Sequence, residues 1–442
     1  MSISKLIRCS DSGVPELLDQ LVPAPMPVRP QAQYAESRCD TARDVLLARV
    51  VWSRLIEPGD AVAGTLIDTL GALPALELLA GESGKYAREE GSAHRGTVGA
   101  ARQLRTAAAA AGIAIDGRTL SAAVARWLPR LDRSASLTDL DRAVAAGLQV
   151  IGPESILWPT SLNDLGPHSP QLLWARGKPA ELSAKALAVV GARACTGYGA
   201  NITAELVDTA GSAGVAIVSG AAYGIDAVAH RAALAAGVPT IAVLAGGADR
   251  AYPSAHESLL ERIAETGVVC SEMVPGAAPT RWRFLQRNRA IAALAEATLV
   301  TEAGMRSGSL NTAGHAAELG RNLGAVPGPI TSAASAGCHR LIRDYGATLV
   351  SSSDELREFM GIISAAEQLL PSASDRQPAA HRRTLDAIPL RGFRSGDEIA
   401  LAAGLTGEET RAILAELELM GWVARGDRAD GSPPRWRLVR RE

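Results

Sequence analysis

At 442 residues, with 47% apolar side chains, the chain is long enough for two to four domains with cores of their own. Its 45 basic and 47 acidic residues leave a formal net charge of −2, which excludes a polycation that coats nucleic acid indiscriminately, so any nucleic-acid site has to be a local patch. Cys9, Cys39, Cys195, Cys270 and Cys338 lack CxxC or Cys/His spacing, against a disulfide framework or a zinc site. With no apolar run of about 18 residues and no basic-then-apolar leader, a cytoplasmic protein without a membrane span is expected.

Residues 1–40 carry Pro15, Pro23, Pro25, Pro27 and Pro30 with little periodicity and are expected to be disordered or loosely attached. From 41 to 132 the spacing is helical, in ARDVLLARVVWSRL, AGTLIDTLGALPALELLAG and TLSAAVARWLPRL, which predicts a small helical domain. Residues 133–169 pass from a helix to a short strand-like piece and a proline-punctuated linker, and PQLLWAR leads into a central domain over 170–360. There apolar strands alternate with helices: ALAVVGAR, VAIVSG, PTIAVLAGG, VVCSEM, ATLVTEA and NLGAVPG, separated by helical stretches. Such alternation predicts an α/β fold with a doubly wound, mostly parallel sheet whose ligands lie at the carboxyl ends of the strands. A linker at 361–381 precedes a tail at 382–442, whose three helical segments and two short strands around a Gly/Pro turn read as a winged helix.

The first turn, Gly191 to Gly199, is not GxGxxG, and the second strand ends in Ser219-Gly220 rather than the acid that would hold a ribose hydroxyl. No GxxxxGK[ST] occurs, so neither NAD nor P-loop ATP chemistry is indicated, and no cofactor is expected. Small residues gather instead at the strand ends, at Gly191, Ser219-Gly220, Gly246-Gly247, Ser271 and Ser307-Gly308-Ser309, with Thr312 in the following helix. Backbone amides there could form a phosphate-binding rim. The sharpest cluster is Arg281-Trp282-Arg283-Phe284-Leu285-Gln286-Arg287-Asn288-Arg289, four arginines with two aromatics and no acid. Arginines neutralise phosphates and an interleaved ring stacks on an unpaired base. A solvated helix start is the plainer alternative, although cations are disfavoured at a helix N-terminus unless an anion sits there.

Catalytic constellations are thin. Asp226 and His230 stand one helical turn apart, and Glu272 and Glu302 follow strands, yet no serine, cysteine or metal cluster completes a site, and Asp226 reads more simply as a first-turn acid.

Across about 170–350 the chain resembles the DNA-processing protein A (DprA/Smf) family. The motifs that carry the resemblance are VVGAR with YG (Val189–Arg193, Tyr198-Gly199), SGAAYGIDAVAH (Ser219–His230), YP (Tyr252-Pro253), SE (Ser271-Glu272), FLQRNRAIAAL (Phe284–Leu294), SGSLNTA (Ser307–Ala313), VPG (Val326–Gly328) and GCHRLI (Gly337–Ile342). The resemblance implies an extended Rossmann-like domain that binds single-stranded DNA, a homodimer, and loading of the RecA recombinase in natural transformation or recombination, with no catalysis. It puts DNA contacts at Arg193, Arg281 and Phe284 and near Arg287, Asn288 and Arg289. The rim adds Ser219, Gly220, Ser307, Ser309 and Thr312. Where the family has GSR this chain has Gly191-Ala192-Arg193, and where GLARGID is common it has Ala221-Ala222-Tyr223-Gly224-Ile225-Asp226. There Tyr223 offers a stacking ring in place of an arginine.

Two other readings are open on the residues. Thr301-Glu302-Ala303-Gly304 echoes the PGGxGT motif of phosphoribohydrolase-like enzymes, with Glu302 as the acid. A transcription regulator using the tail on duplex DNA is the third, although its presumed recognition helix, Gly407–Met420, carries Glu408, Glu409, Glu416 and Glu418 against Arg411 and would be repelled by duplex phosphates.

Overall fold

The computed structural model describes residues 13–22, 42–86, 92–362, 378–389, 392–426 and 434–439. Most of the segment expected to lack order, and most of the 361–381 linker, lie outside these residues. The chain divides into two compact units, Met1–Ile362 and Ile363–Glu442.

In the first unit, helices α1 (Val14–Leu21), α2 (Ala42–Leu55), α3 (Ala61–Leu70), α4 (Ala72–Tyr86), α5 (Ser92–Ala110), α6 (Gly117–Trp127) and α7 (Arg133–Ala145) precede the sheet. Helix α1 departs from the sequence expectation. Val14, Leu18 and Leu21 recur at four- and three-residue spacing and bury against Leu140, Leu148 and Trp174, a signal that the flanking prolines obscure. The α2–α6 core is built on two tryptophans in edge-to-face contact, Trp52 and Trp127, with ring centroids 5.4 Å apart. Buried Trp52 donates Nε1–H to Ala72 O (2.9 Å), and Trp127 donates to Asp60 (3.0 Å), the carboxylate that caps α3.

The sheet contains β1 (Gln149–Ile151), β2 (Leu173–Gly177), β3 (Ala186–Gly191), β4 (Ala216–Ser219), β5 (Thr240–Leu244), β6 (Val268–Ser271), β7 (Ala297–Glu302), β8 (Asn322–Ala325) and β9 (Thr348–Leu349), in spatial order β1-β2-β6-β5-β4-β3-β7-β8-β9. Strands β3 to β9 are parallel, while β2 runs antiparallel to β6 (Trp174 opposite Ser271) and β1 antiparallel to β2, so the sheet is mostly parallel, as expected, with two antiparallel strands at one edge. Strand β9 lies beyond NLGAVPG, the last strand read from sequence. Helices α8 (Gly197–Ser212), α9 (Ile225–Ala235), α10 (Glu257–Thr266), α11 (Arg281–Leu294), α12 (Ser309–Glu318), α13 (Ala336–Asp344) and α14 (Ser353–Phe359) cover the faces. Alternation along β3 shows both faces buried. Ala186, Ala188 and Val190 pack in one core with Ala290, Ile291 and Leu294 of α11; Leu187 and Val189 pack in the other with Leu206, Val207 and Ala229. Successive strands run outward from β3 to β6 on one side and from β7 to β9 on the other, which puts the topological switch point between β3 and β7.

The second unit holds α15 (Ala379–Asp386), α16 (Gly396–Ala403) and α17 (Gly407–Leu419) with an antiparallel sheet of β10 (Arg394–Ser395), β12 (Arg435–Leu438) and β11 (Val423–Gly426), in that spatial order. Thr406 and Glu409 form a capping box at the start of α17, and Ile399, Leu414, Leu417, Val423 and Trp436 form its core.

Candidate nucleic-acid interface

At the switch point, where a doubly wound sheet ordinarily receives a phosphate, the chain supplies its own anion. The Glu302 carboxylate, 3% exposed, accepts from Thr196 N (2.8 Å) and Thr196 Oγ1 (2.7 Å) at the start of α8. Gly199 has no side chain because a Cβ there would collide with that carboxylate. The hydroxyl side chains at the expected rim are likewise engaged within the protein. Ser219 Oγ donates to Val189 O (2.6 Å) and Ser271 Oγ to Leu244 O (3.3 Å), Ser307 and Ser309 hydroxyls bond each other (2.6 Å), and Thr312 is 1% exposed. The Ser219, Ser271 and Thr312 side chains therefore belong to the interior, which leaves the backbone amides of these turns as the groups an anion could meet.

The exposed chemistry lies beside the switch point, over β3, β4 and β5. Helix α11 begins at Arg281, where Thr280 Oγ1 accepts from Arg283 N (3.2 Å), and this start brings Phe284 to the carboxyl edge. Exposed Arg193 from the β3 turn stacks over the Phe284 ring (5.0 Å to the centroid), with Arg287 on the ring as well (5.7 Å). Tyr252, half exposed, leans on the same ring with centroids 5.6 Å apart. Tyr223, also half exposed, stands edge-on to His256 (4.9 Å). Between Tyr252 and Phe284 lies a shallow depression with Gly220, Gly246 and Gly247 in its lining. Close backbone approach sets these loops: Ile225 N donates to Ala192 O (3.1 Å), and Gly224, at φ 77°, lies so near Ala192 and Arg193 that a Cβ would collide.

The arginine cluster separates into surface and interior. Arg281 is exposed. Arg287, 6% exposed, donates through Nη1 to Gly220 O and Val243 O (both 2.7 Å) and so ties α11 to the β4 and β5 ends. A Cβ on Gly220 would strike that guanidinium, so Gly220 serves the fold through its backbone. Burial lowers the Arg287 pKa against the opposing charge of Asp226, while burial raises that of Asp226 against Arg287. Asn288 donates to Asn311 (3.1 Å). Arg289, 3% exposed, forms a bidentate pair with Glu272 (2.6 and 2.7 Å) and donates to His168 O (2.9 Å). Arg289 and Asn288 therefore belong to the interior rather than to a strand-facing surface, a correction that follows from partners far away in sequence.

Arg283 pairs with Glu57 of the helical layer (2.8 and 2.9 Å), to which Arg130 also binds (3.0 Å). Burial would raise the Glu57 pKa, but hydrogen bonds and charge from Arg283 and Arg130 outweigh it and hold it below 4.5. The imagined Asp226–His230 pair is likewise internal: His230 is fully buried on Thr240 Oγ1 (2.7 Å), and burial, then Arg287 and His256, push its pKa down to about 3. Half-exposed Tyr252 and Arg250, whose side chain is 63% exposed, join the site although the sequence reading does not name them as contacts; the signal for both is their place in the loop after the third central strand.

Residues 149–361 match the model of the family described as DNA recombination-mediator protein A. A protein of Mycobacterium tuberculosis described as a DNA processing protein DprA is 45% identical over 326 residues, covering 70% of this chain and 81% of that one. A DNA processing protein DprA of Streptococcus pneumoniae is 42% identical over 191 residues, covering 43% of this chain and 67% of its own. The X-ray structure of DNA processing protein A from Streptococcus pneumoniae superposes with a TM-score of 0.51 at 30% identity, over 66% of this chain and 97% of that one. With the family's motifs on its β3, β4 and α11 turns and 45% identity over 81% of the mycobacterial relative, the chain belongs to the DNA recombination-mediator protein A (DprA/Smf) family.

Proposed function

We propose that this protein binds single-stranded DNA along the carboxyl edge of β3, β4 and β5, protects it, and hands it to the RecA recombinase during transformation or recombination, acting as a homodimer and without catalysis. The observation that carries the reading is the Arg193–Phe284–Tyr252 cluster, a cation stacked on an aromatic ring with a second ring beside it, all at one sheet edge. Half-exposed Tyr252 and Tyr223, with the partly buried Phe284 between the arginines, offer ring faces to unpaired bases, which a duplex keeps stacked and unavailable, and exposed Arg193, Arg250 and Arg281 can neutralise the phosphates. The placement of Glu302 against Thr196 weighs against its service as a catalytic acid, and the buried neutral His230 weighs against a carboxylate–histidine pair. A helical trio on a three-stranded antiparallel sheet supports a winged-helix reading of the tail, and the four glutamates of α17 point it away from duplex phosphates.

Competition binding tests this reading. Unlabelled single strand should displace a labelled oligothymidine far better than duplex of equal length, and a chain ending at Ile362 should keep that preference. Equal competition by duplex, or loss of all DNA binding on truncation, would favour the regulator reading instead.

A further inference from the structure

The first turn of α11 points in three directions. Phe284 faces the sheet edge, Arg283 turns to Glu57, and between them an outer ridge of Arg281, Trp282 and Leu285 is left exposed, with Trp282 at 55% and Leu285 at 44%. Trp282 alone among the described tryptophans is so exposed; Trp52, Trp127, Trp158 and Trp174 are essentially buried. One turn along from Trp282, Gln286 lies beneath the loop joining α2 to α3, close enough that a Cβ on Gly59 would collide with its amide oxygen. The ridge therefore abuts the helical layer. There Arg130 shares Glu57 with Arg283, and Arg126 reaches Asp60 (3.4 Å), their side chains 43% and 59% exposed. Two guanidiniums, Arg130 and Arg283, thus share the single Glu57 carboxylate, and exposed Arg281 and Trp282 precede Arg283 on the same helical turn.

We propose that this ridge is a second station for the same single strand, in which Trp282 stacks on an unpaired base and Arg281 and Arg130 hold the flanking phosphates, carrying the strand from the Phe284 edge onto the helical layer. The inference rests on the single-strand reading above. A half-exposed indole that adjoins that edge, between exposed Arg281 and the Arg283–Glu57–Arg130 cluster, suits a polyanion with exposed bases better than an apolar protein partner.

The test compares oligothymidines of about 6 and about 20 nucleotides, bracketing a single site and a longer track. Trp282→Ala should weaken binding of the long strand by roughly fivefold or more and leave the short one unchanged, with Trp282→Phe restoring affinity. The long strand should also quench the wild-type tryptophan fluorescence more than the short one. Three results overturn the station: equal loss at both lengths, which would place Trp282 in the first site; wild-type affinity of Trp282→Ala for both strands; or unchanged DNA binding with loss of self-association. If the wild-type protein binds neither strand, the single-strand reading itself falls.

Discussion

Phe284→Ala should cost this protein about 1–3 kcal/mol of affinity for single-stranded DNA, the worth of one base stack, while the protein stays folded. The ring is a shared platform: Arg193 and Arg287 lie over it and Tyr252 leans on it, so its removal would take away the proposed stacking face and free Arg193 from the ring that orients it. Because Phe284 is itself uncharged, the salt dependence of binding should be nearly unchanged. Arg193→Ala, by contrast, should lower the slope of log affinity against log salt by about 0.7, one single-strand phosphate contact. Isothermal titration across a salt series separates the two. A Phe284→Ala protein that binds like wild type would remove the ring from the site.

Arg289→Ala should behave in the opposite way, destabilising the fold by about 3–5 kcal/mol, because Glu272 would be left buried without its bidentate partner. Arg281, on the same helix and exposed, should tolerate alanine with little change in stability and lose affinity instead. Denaturant melts of the two variants check this directly. If Arg289→Ala unfolds at the wild-type midpoint but binds DNA poorly, its place in the interior has been misjudged.

Much of this architecture was legible in the chain. The βα alternation set the sheet core, and the Arg281–Arg289 cluster marked the helix that meets the edge. What could not be read locally was which arginines face out, because their partners come from elsewhere: Arg283 meets Glu57, 226 residues away, and Arg287 meets the backbone of two other strands. Glu302 presents the same difficulty. It echoes a catalytic acid in sequence, yet its role is fixed by Thr196, 106 residues earlier. The antiparallel β1 and β2 were hidden for a related reason, since a short apolar segment does not encode its direction in the sheet. Tyr252 was visible as half of a YP dipeptide but acquires meaning only against Phe284.

Photo-crosslinking of a bromouridine-substituted single strand to the full chain, with the adducts mapped by mass spectrometry, locates the strand on the protein. Adducts are expected on Tyr252, Phe284 and Tyr223, lost when unlabelled single strand is added in excess. Adducts confined to the tail, residues 378–439, would contradict binding at the sheet edge.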